Sequence, residues 1–561
     1  MYWDREDHSR AFARLDAVDG PIRGYLKELL DEYQGEKRPQ RYYDILAGYW
    51  LQCLAHSVAV ALGAPRDPGA GIPSKMRLAV HYTEADFMAH ATDEKKGFHT
   101  VLRLLAQGAA GEQIGFESGK AVFMNYPGIR SGRIARWVKR CMAKIGNPDA
   151  ILVCHPYAKC SMLAWLTFVV RARKVMRWDD LEMHSQSGYE VALDSDWRLA
   201  KFKAAGQGSG LLDAIKRVLP LFIPVAYLEG FRALREAALR VPVGSPSGFY
   251  TANALYHHLL FKLLAAERQQ STLLLGHQHG GSFGMELRHA PEEYERSVCD
   301  IFYTWGWDGG TGETRPLSPP AFKKVARRKR WALMLSLGDF PNTYYRIQFF
   351  PAADGARRTI ADTLDFARGL PSIPAGKVLI RPYPTDYGRG WPGELRRLLP
   401  AAQVDRFGKR SIDRFAASEL VFHNYLSTGW LESIWLDVPT LALYDPDVYA
   451  FRQGVAASVE AFERFGLLHR SGSSAAKFYS AVRHDLQGWW NQPEFRSART
   501  EFSAQYVRVR ADWKREWIHE FATLLRNREA IISKRQAHTP RPRMATSTGG
   551  VAAADDTIAA Q

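Results

Sequence analysis

The feature that most constrains this chain is a regular alternation in its second half. Between residues 331 and 465, short apolar runs are separated by stretches with helical spacing. Runs at 331–337, 377–381, 419–423 and 440–444 read as strands. Residues 355–369, 410–417, 429–436 and 449–465 read as helices. Apolar strands alternating with helices predict a parallel sheet covered on both faces. In such sheets ligands bind beyond the carboxyl ends of the strands. The segments to weigh therefore follow Leu337, Arg381, His423 and Tyr444.

The first half reads less regularly. Residues 1–60, 85–107 and 208–240 have helical spacing, and 75–82 reads as a strand or short connector. Runs at 121–125 and 150–154 suit buried parallel strands. A strand at 271–275 empties into Gly276-His-Gln-His-Gly-Gly-Ser-Phe-Gly284, and another lies at 301–304. Residues 308–322 are rich in Gly, Thr, Ser and Pro, as an interdomain linker would be. With 561 residues the chain is too long for one ordinary core. The expected division is a first domain over 1–315, a linker at 316–325 and a second domain over 326–505. A helix at 506–526 would cross back onto the first domain, and 527–561 reads as a disordered tail.

Apolar residues make up 46% and charged residues 24%, the balance of a soluble globular protein. The formal net charge of +16 suits an anionic partner: nucleic acid, a membrane face or a phosphorylated ligand. Its sharpest cluster is Lys323, Lys324, Arg327, Arg328, Lys329 and Arg330, which reads as a solvated linker or as attraction to anionic lipid. Five cysteines with no zinc or disulfide spacing point to a reducing compartment. The first residues do not resemble a signal peptide. Apolar runs at 162–170 and 218–228 are too short to span a bilayer. The expected location is the cytoplasm, with any membrane contact peripheral.

Three segments can carry chemistry. In the first, His423-Asn-Tyr-Leu-Ser-Thr-Gly, a buried strand gives way to small hydroxyl residues and a helix. Ser427 and Thr428 stand where free backbone N–H groups and the positive end of the helix dipole bind phosphate. Glu432, one turn on, can accept hydrogen bonds from ribose hydroxyls, and Asn424 completes the group. Ordinary N-capping explains the same residues. The second is Arg381-Pro-Tyr-Pro-Thr-Asp-Tyr-Gly388. Arg381 can grip a phosphate or sugar carboxylate, with Tyr383 and Asp386 lining the cleft. The alternative is a turn in which Arg381 and Asp386 pair with each other. The third is Gly276-His-Gln-His-Gly-Gly281. Gly280 and Gly281 allow close backbone approach, and His279 can act as acid, base or donor. Glu286 on the same loop is a weaker candidate. A metal at His277 and His279 lacks a third ligand. Asp194-Ser-Asp196 and Asp445-Pro-Asp447 could hold a cation but read as caps or surface acids. No metal and no cofactor are expected. The chain has no G-x-S-x-G, P-loop or G-x-G-x-x-G motif.

Taken together, these segments resemble a family of bacterial transferases encoded in O-antigen and other surface-polysaccharide gene clusters. The resemblance runs over roughly 1–520. It rests on Tyr2-Trp-Asp-Arg-Glu6, Tyr42-Tyr-Asp-Ile-Leu-Ala-Gly-Tyr-Trp-Leu51, Thr251-Ala-Asn-Ala-Leu-Tyr256, Gln278-His-Gly-Gly281 and Tyr303-Thr-Trp-Gly-Trp307. Arg381-Pro-Tyr-Pro-Thr-Asp-Tyr-Gly388, 425–439 and Trp489-Trp-Asn491 complete the set. That family resembles GT-B enzymes, and the Gln-His-Gly and Ser-Thr…Glu segments are similar to those of transferases with cytidine-linked donors, such as Kdo and glycerol-phosphate transferases. Those enzymes often carry His where Tyr383 stands. The family tends to begin with a strand ahead of Tyr2, so the expectation is either a misassigned start codon or a first domain without its first strand.

The resemblance implies a GT-B-like α/β fold, two Rossmann-like domains facing a cleft, with helical N- and C-terminal additions. It implies glycosyl transfer from a nucleotide sugar to a lipid-linked or growing surface polysaccharide. Arg381, Tyr383, Asn424, Ser427, Thr428 and Glu432 would hold the donor, and His279, Glu286 and Asp386 would serve the chemistry. Contact with the anionic inner membrane from the cytoplasmic side, and no nucleic acid, complete the expectation. The alternatives are a nucleotide-sugar epimerase of the same fold and a non-catalytic basic binding protein.

Overall fold

A computed structural model describes the chain except residues 1–4, 64–74, 94–96, 109–112, 118–120, 123–132, 182–189, 206–207, 311, 321, 323–324, 341–346, 348–352, 386 and 538–561. The alternation read in the second half forms a six-stranded, all-parallel sheet. A second six-stranded parallel sheet lies in the first half. The first sheet is built from β1 (Ile151–Cys154), β2 (Met176–Trp178), β3 (Gly248–Thr251), β4 (Leu273–His277), β5 (Ile301–Thr304) and β6 (Thr314–Pro316). Its spatial order is β2-β1-β3-β4-β5-β6. The second contains β7 (Trp331–Ser336), β8 (Val378–Arg381), β9 (Gln403–Val404), β10 (Ser418–His423), β11 (Thr440–Leu443) and β12 (Leu468–His469). Its order is β9-β8-β7-β10-β11-β12, the doubly wound arrangement of a Rossmann-like domain. Strand order therefore reverses between β1 and β3 in one sheet and between β7 and β10 in the other. Those two reversals open the crevices where ligands enter such sheets.

The two halves are joined by more than a linker. Phe283, Met285, Trp305 and Trp307 of the first half share one buried cluster with Leu333, Leu420 and Trp430 of the second. Leu287 N–H donates to the Ala450 carbonyl at 2.8 Å and Arg452 N–H to Met285 at 2.9 Å, a short backbone seam between the domains. Helices Arg5–Gln34 and Gln40–Gly63 cover the first sheet's domain with a large apolar cluster. The second of these is long and apolar enough to cross a membrane, but 83% of its apolar window is buried inside the protein.

Several expectations need correction. Of the run at 121–125, the described residues Ala121–Val122 pair antiparallel with Glu190–Val191 rather than with the parallel sheet, and 123–125 lie outside the described residues. The strand expected at 271–275 runs on through His277, because its partner β5 supplies a register residue, Tyr303, for His277. The Gly- and Pro-rich stretch at 308–322 is not all linker, since Thr314–Pro316 adds an edge strand beside β5. The final helix spans Trp513–Ala537, so 527–537 are helical. Packing explains that extension. Trp517, Phe521 and Leu524 are buried in the core of the first sheet. Arg535 bonds Asp300 at 2.9 Å and the Thr272 carbonyl at 3.1 Å. The expected crossing back onto the first domain is thus present, and it reaches further than the composition implied.

Candidate functional site

The carboxyl ends of both sheets meet at one cleft, and three short segments form its walls. The first follows β1. His155 and Tyr157 both adopt positive φ, 48° and 55°, a conformation that costs non-glycine residues energy. The segment is clamped at both ends. His155 N–H donates to Asp180 at 3.2 Å and its carbonyl accepts from Ala252 at 3.1 Å. Lys159 N–H donates to the Pro320 carbonyl at 3.1 Å.

The second wall follows β4. Tyr250 Oη lies 2.5 Å from His277 Nδ1, and burial lowers the His277 pKa to about 3. His277 is a neutral part of the core. Gln278 pins the turn: its Oε1 accepts from Trp305 N–H at 2.9 Å and Trp307 Nε1 at 2.8 Å, and its Nε2 donates to Gly280 at 2.9 Å. His279 then projects into the cleft, half-buried, with its ring edge-on to Tyr256 (5.0 Å), Phe283 (5.2 Å) and Tyr157 (6.4 Å). Its Nδ1 is 4.0 Å from Glu295 Oε1, whose carboxyl is pushed well above the usual range by burial. Glu286 is buried in the seam where its backbone bridges Phe451.

The third wall follows β10. Asn424 is buried, and its amide accepts from Gly338 N–H at 2.7 Å and donates to Gly338 O and Thr363 Oγ1 at 3.2 Å. It staples β7 to β10 at the reversal point. Ser427 caps helix Thr428–Trp435, its Oγ accepting from Gly429 N–H at 3.4 Å. A Cβ on Gly281 would stand 2.6 Å from the Ser427 carbonyl carbon and 2.7 Å from Thr428 N. Glycine at 281 is what lets the first domain's turn touch the helix start. Glu432, also buried, binds Lys159 Nζ at 2.8 Å through Oε1. Ser411 Oγ reaches its other oxygen at 3.5 Å. Burial opposes the charge on Lys159, yet Glu432 and Tyr157 together raise its pKa above the ordinary lysine value. Lys159 Nζ also sits 5.0 Å over the Tyr157 ring.

The structure thus gathers His279, Gly280, Gly281, Ser427, Thr428 and Glu432 at one place. Arg381 lies apart from them, against an open cavity of about 830 Å³ lined also by Arg328, Phe407, Lys409, Arg410 and Asp413. Its guanidinium pairs with the buried Asp405 and stacks 4.9 Å from the Phe407 ring. Burial works against the Asp405 carboxylate, and hydrogen bonds from Arg414 and Arg381 outweigh it, holding its pKa below the usual value. Tyr383 stacks toward Phe340 (6.1 Å) and Tyr387 (6.3 Å). Asp386 lies outside the described residues. Of the D-x-D pairs, Asp194 caps a helix by accepting from Trp197 N–H, while Asp445 and Asp447 pair with Arg358 at 2.9 and 3.3 Å.

His155, Tyr157, Lys159, Asp180 and Asn253 were not anticipated. The signal was present: 155–160 directly follow a strand that the sequence does reveal, and the carboxyl-end rule applies to both sheets. Cys154, His155 and His258 each place a potential ligand atom within 4.8 Å of the others. The His258 ring, however, accepts from Phe261 N–H and faces the Asp180 carbonyl at 3.1 Å, so both its nitrogens serve the scaffold.

No curated protein matches the chain. Solved structures similar to it include a mutant of Thermobaculum terrenum O-GlcNAc transferase, with 12% identity over 69% of this chain and 73% of that one and a TM-score of 0.28. Acinetobacter baumannii MurG matches with 10% identity over 67% and 100%, TM-score 0.34. The spinosyn rhamnosyltransferase SpnG, complexed with spinosyn aglycone, matches with 12% identity over 68% and 100%, TM-score 0.28. A family model covers residues 116–521, which include every wall of the cleft. The chain belongs to the LIC12162 family of transferases.

Proposed function

We propose that this transferase moves a sugar from a nucleotide-sugar donor to a surface-polysaccharide acceptor carried on lipid. The observation that carries the reading is the contact of Gly281 with the Ser427–Thr428 backbone. It sets a half-buried histidine, His279, beside the positive end of a helix at a strand-order reversal. Glycosyl transfer needs both. A proton must leave the acceptor hydroxyl, and negative charge gathers on the departing phosphate. His279 takes the proton in this reading, and the helix start with the Gly280–Gly281 backbone receives the phosphate. Glu432 turns to the ribose when Lys159 releases it. With Gly281 seated on the helix, donor entry requires the domains to part slightly, a common feature of cleft enzymes. Arg381 and Tyr383 extend the donor side, and Glu286 and Asp386 remain secondary candidates for the chemistry. The enzyme would work on the cytoplasmic face of the inner membrane.

The test is a thermal-shift series with CMP-, CDP-, UDP-, GDP- and dTDP-linked sugars. One nucleotide class should raise Tm by several degrees, and Glu432→Ala should abolish that shift without unfolding the protein. If no nucleotide stabilises the protein, the donor site is wrong. Turnover of the donor without any acceptor would instead favour an epimerase.

A further inference from the structure

The strand-order reversal of the first sheet opens into a second cavity of about 400 Å³, lined by His155, Tyr157, Asn253, Asp180 and the indoles of Trp165 and Trp178 among others. Its rim takes Lys139 from helix Arg133–Ala143 and Met162 from helix Met162–Ala172. These two helices carry an unusual surface. Among the described residues seven large apolar side chains are exposed, and four of them are here: Trp137 (66%), Met162 (45%), Leu163 (74%) and Val170 (43%). Leu163 and Val170 are seven residues apart, on one face of their helix, while Trp165, Phe168, Val169 and Ala172 pack inward. The surrounding charge is one-sided. From 133 to 180 the sequence has ten Lys and Arg against three acids, Asp149, Asp179 and Asp180, the last paired with Lys139 at 3.4 Å. Lys144, Arg171, Arg173 and Lys174 are exposed.

We infer that this face docks on an anionic lipid bilayer and presents the His155–Asn253 cavity to an acceptor carried in that bilayer. The chemistry selects this occupant. Apolar side chains ringed by cations suit the boundary between acyl chains and anionic headgroups. A nucleic acid would meet the cations but offers no apolar layer for Leu163 and Val170. An 11-residue helix, about 16 Å long, can lie in the interface but not span it. The delivery half of the inference rests on the proposed transfer to a lipid-borne acceptor; the docking half does not. The site also differs from the basic cluster at 323–330, the charge run that stands out in the sequence.

The experiment is flotation of the full chain with vesicles of phosphatidylcholine alone or with 30% phosphatidylglycerol. Binding to the anionic vesicles, weakened by 0.5 M salt, is expected. Leu163→Asp with Trp137→Asp should lower the bound fraction at least tenfold, and Arg171→Glu with Lys174→Glu should do so on anionic vesicles. Lys329→Glu with Arg330→Glu should leave it unchanged. Circular dichroism and the nucleotide-induced Tm shift, both expected to match the parent, separate lost docking from lost folding and from failure of the donor site. No binding by the parent, equal binding to neutral and anionic vesicles, or full binding by the folded aspartate variant would overturn the inference. So would capture of a protein partner by this face with no vesicle binding.

Discussion

Lys159 Nζ lies 2.8 Å from Glu432 Oε1, so a residue after the first sheet's β1 closes on a helix of the second sheet's domain. The pair is nearly dry on the glutamate side, with side-chain exposures of 25% and 3%. Removing the cation leaves a buried carboxylate short of its partner. Lys159→Met should therefore destabilise the protein by about 1–3 kcal/mol, and Lys159→Met with Glu432→Met should recover part of that loss. A double-mutant cycle by urea unfolding measures the coupling. Strictly additive single effects would mean the contact does not hold the domains.

Gly281 offers a steric test. Gly281→Ala places a methyl against backbone, which cannot move aside as a side chain can. The domain seam should loosen, Tm should fall by several degrees, and transfer should drop at least tenfold. Gly280→Ala meets only the Phe283 ring, at 3.3 Å, and should be mild. Equal effects at both positions would argue against the contact.

The buried histidines set an acid limit. Burial lowers His258, His277 and His423 to about 3. Each folded-state value is below the ordinary 6.5, so the unfolded chain binds more protons in between. The stability they preserve is complete above about pH 6.5 and is lost as pH falls toward 3. Each group contributes about 1.4 kcal/mol per pH unit in that window. Unfolding free energy measured from pH 7 to pH 5 should fall steeply, and His423→Gln should make the slope shallower. A flat profile would show that these rings are protonated or solvated in the folded state.

Gln278 accepts two hydrogen bonds with one oxygen, from Trp305 N–H and Trp307 Nε1. Gln278→Met keeps the volume and orphans both donors. A loss of about 2–4 kcal/mol is expected in urea unfolding. Because the same side chain holds Gly280, donor-induced stabilisation should shrink too. Wild-type stability would remove Gln278 from its place as the turn's anchor.

Legibility differed between the halves. In the second, apolar runs and helical spacing alternate cleanly, and β7, β8, β10 and β11 lie within a residue or so of their expected positions. β9 and β12, two residues each, are too short to leave a periodic signal. In the first half β2 and β3 were missed, because strands of three and four residues with polar or small residues among them do not stand out between long helices. The Ser427 cap was visible as a local pattern. Asp405 as the partner of Arg381 was not, since nearby Asp386 was the closer candidate in sequence.

The sequence by itself determined four of the second domain's six strands and the helices between them, that its sheet is parallel, and that ligands would gather at the strand ends. Those are consequences of local periodicity and of backbone hydrogen bonding. Only the tertiary structure decided partners. Lys159 and Glu432 are 273 residues apart, and a hydrophobic period encodes which face of an element is buried, not what covers it. The same reason hides the docking face: Leu163 reads as one apolar residue in an apolar run, and only packing shows that Trp165 and Phe168 turn inward while Leu163 is left at the surface.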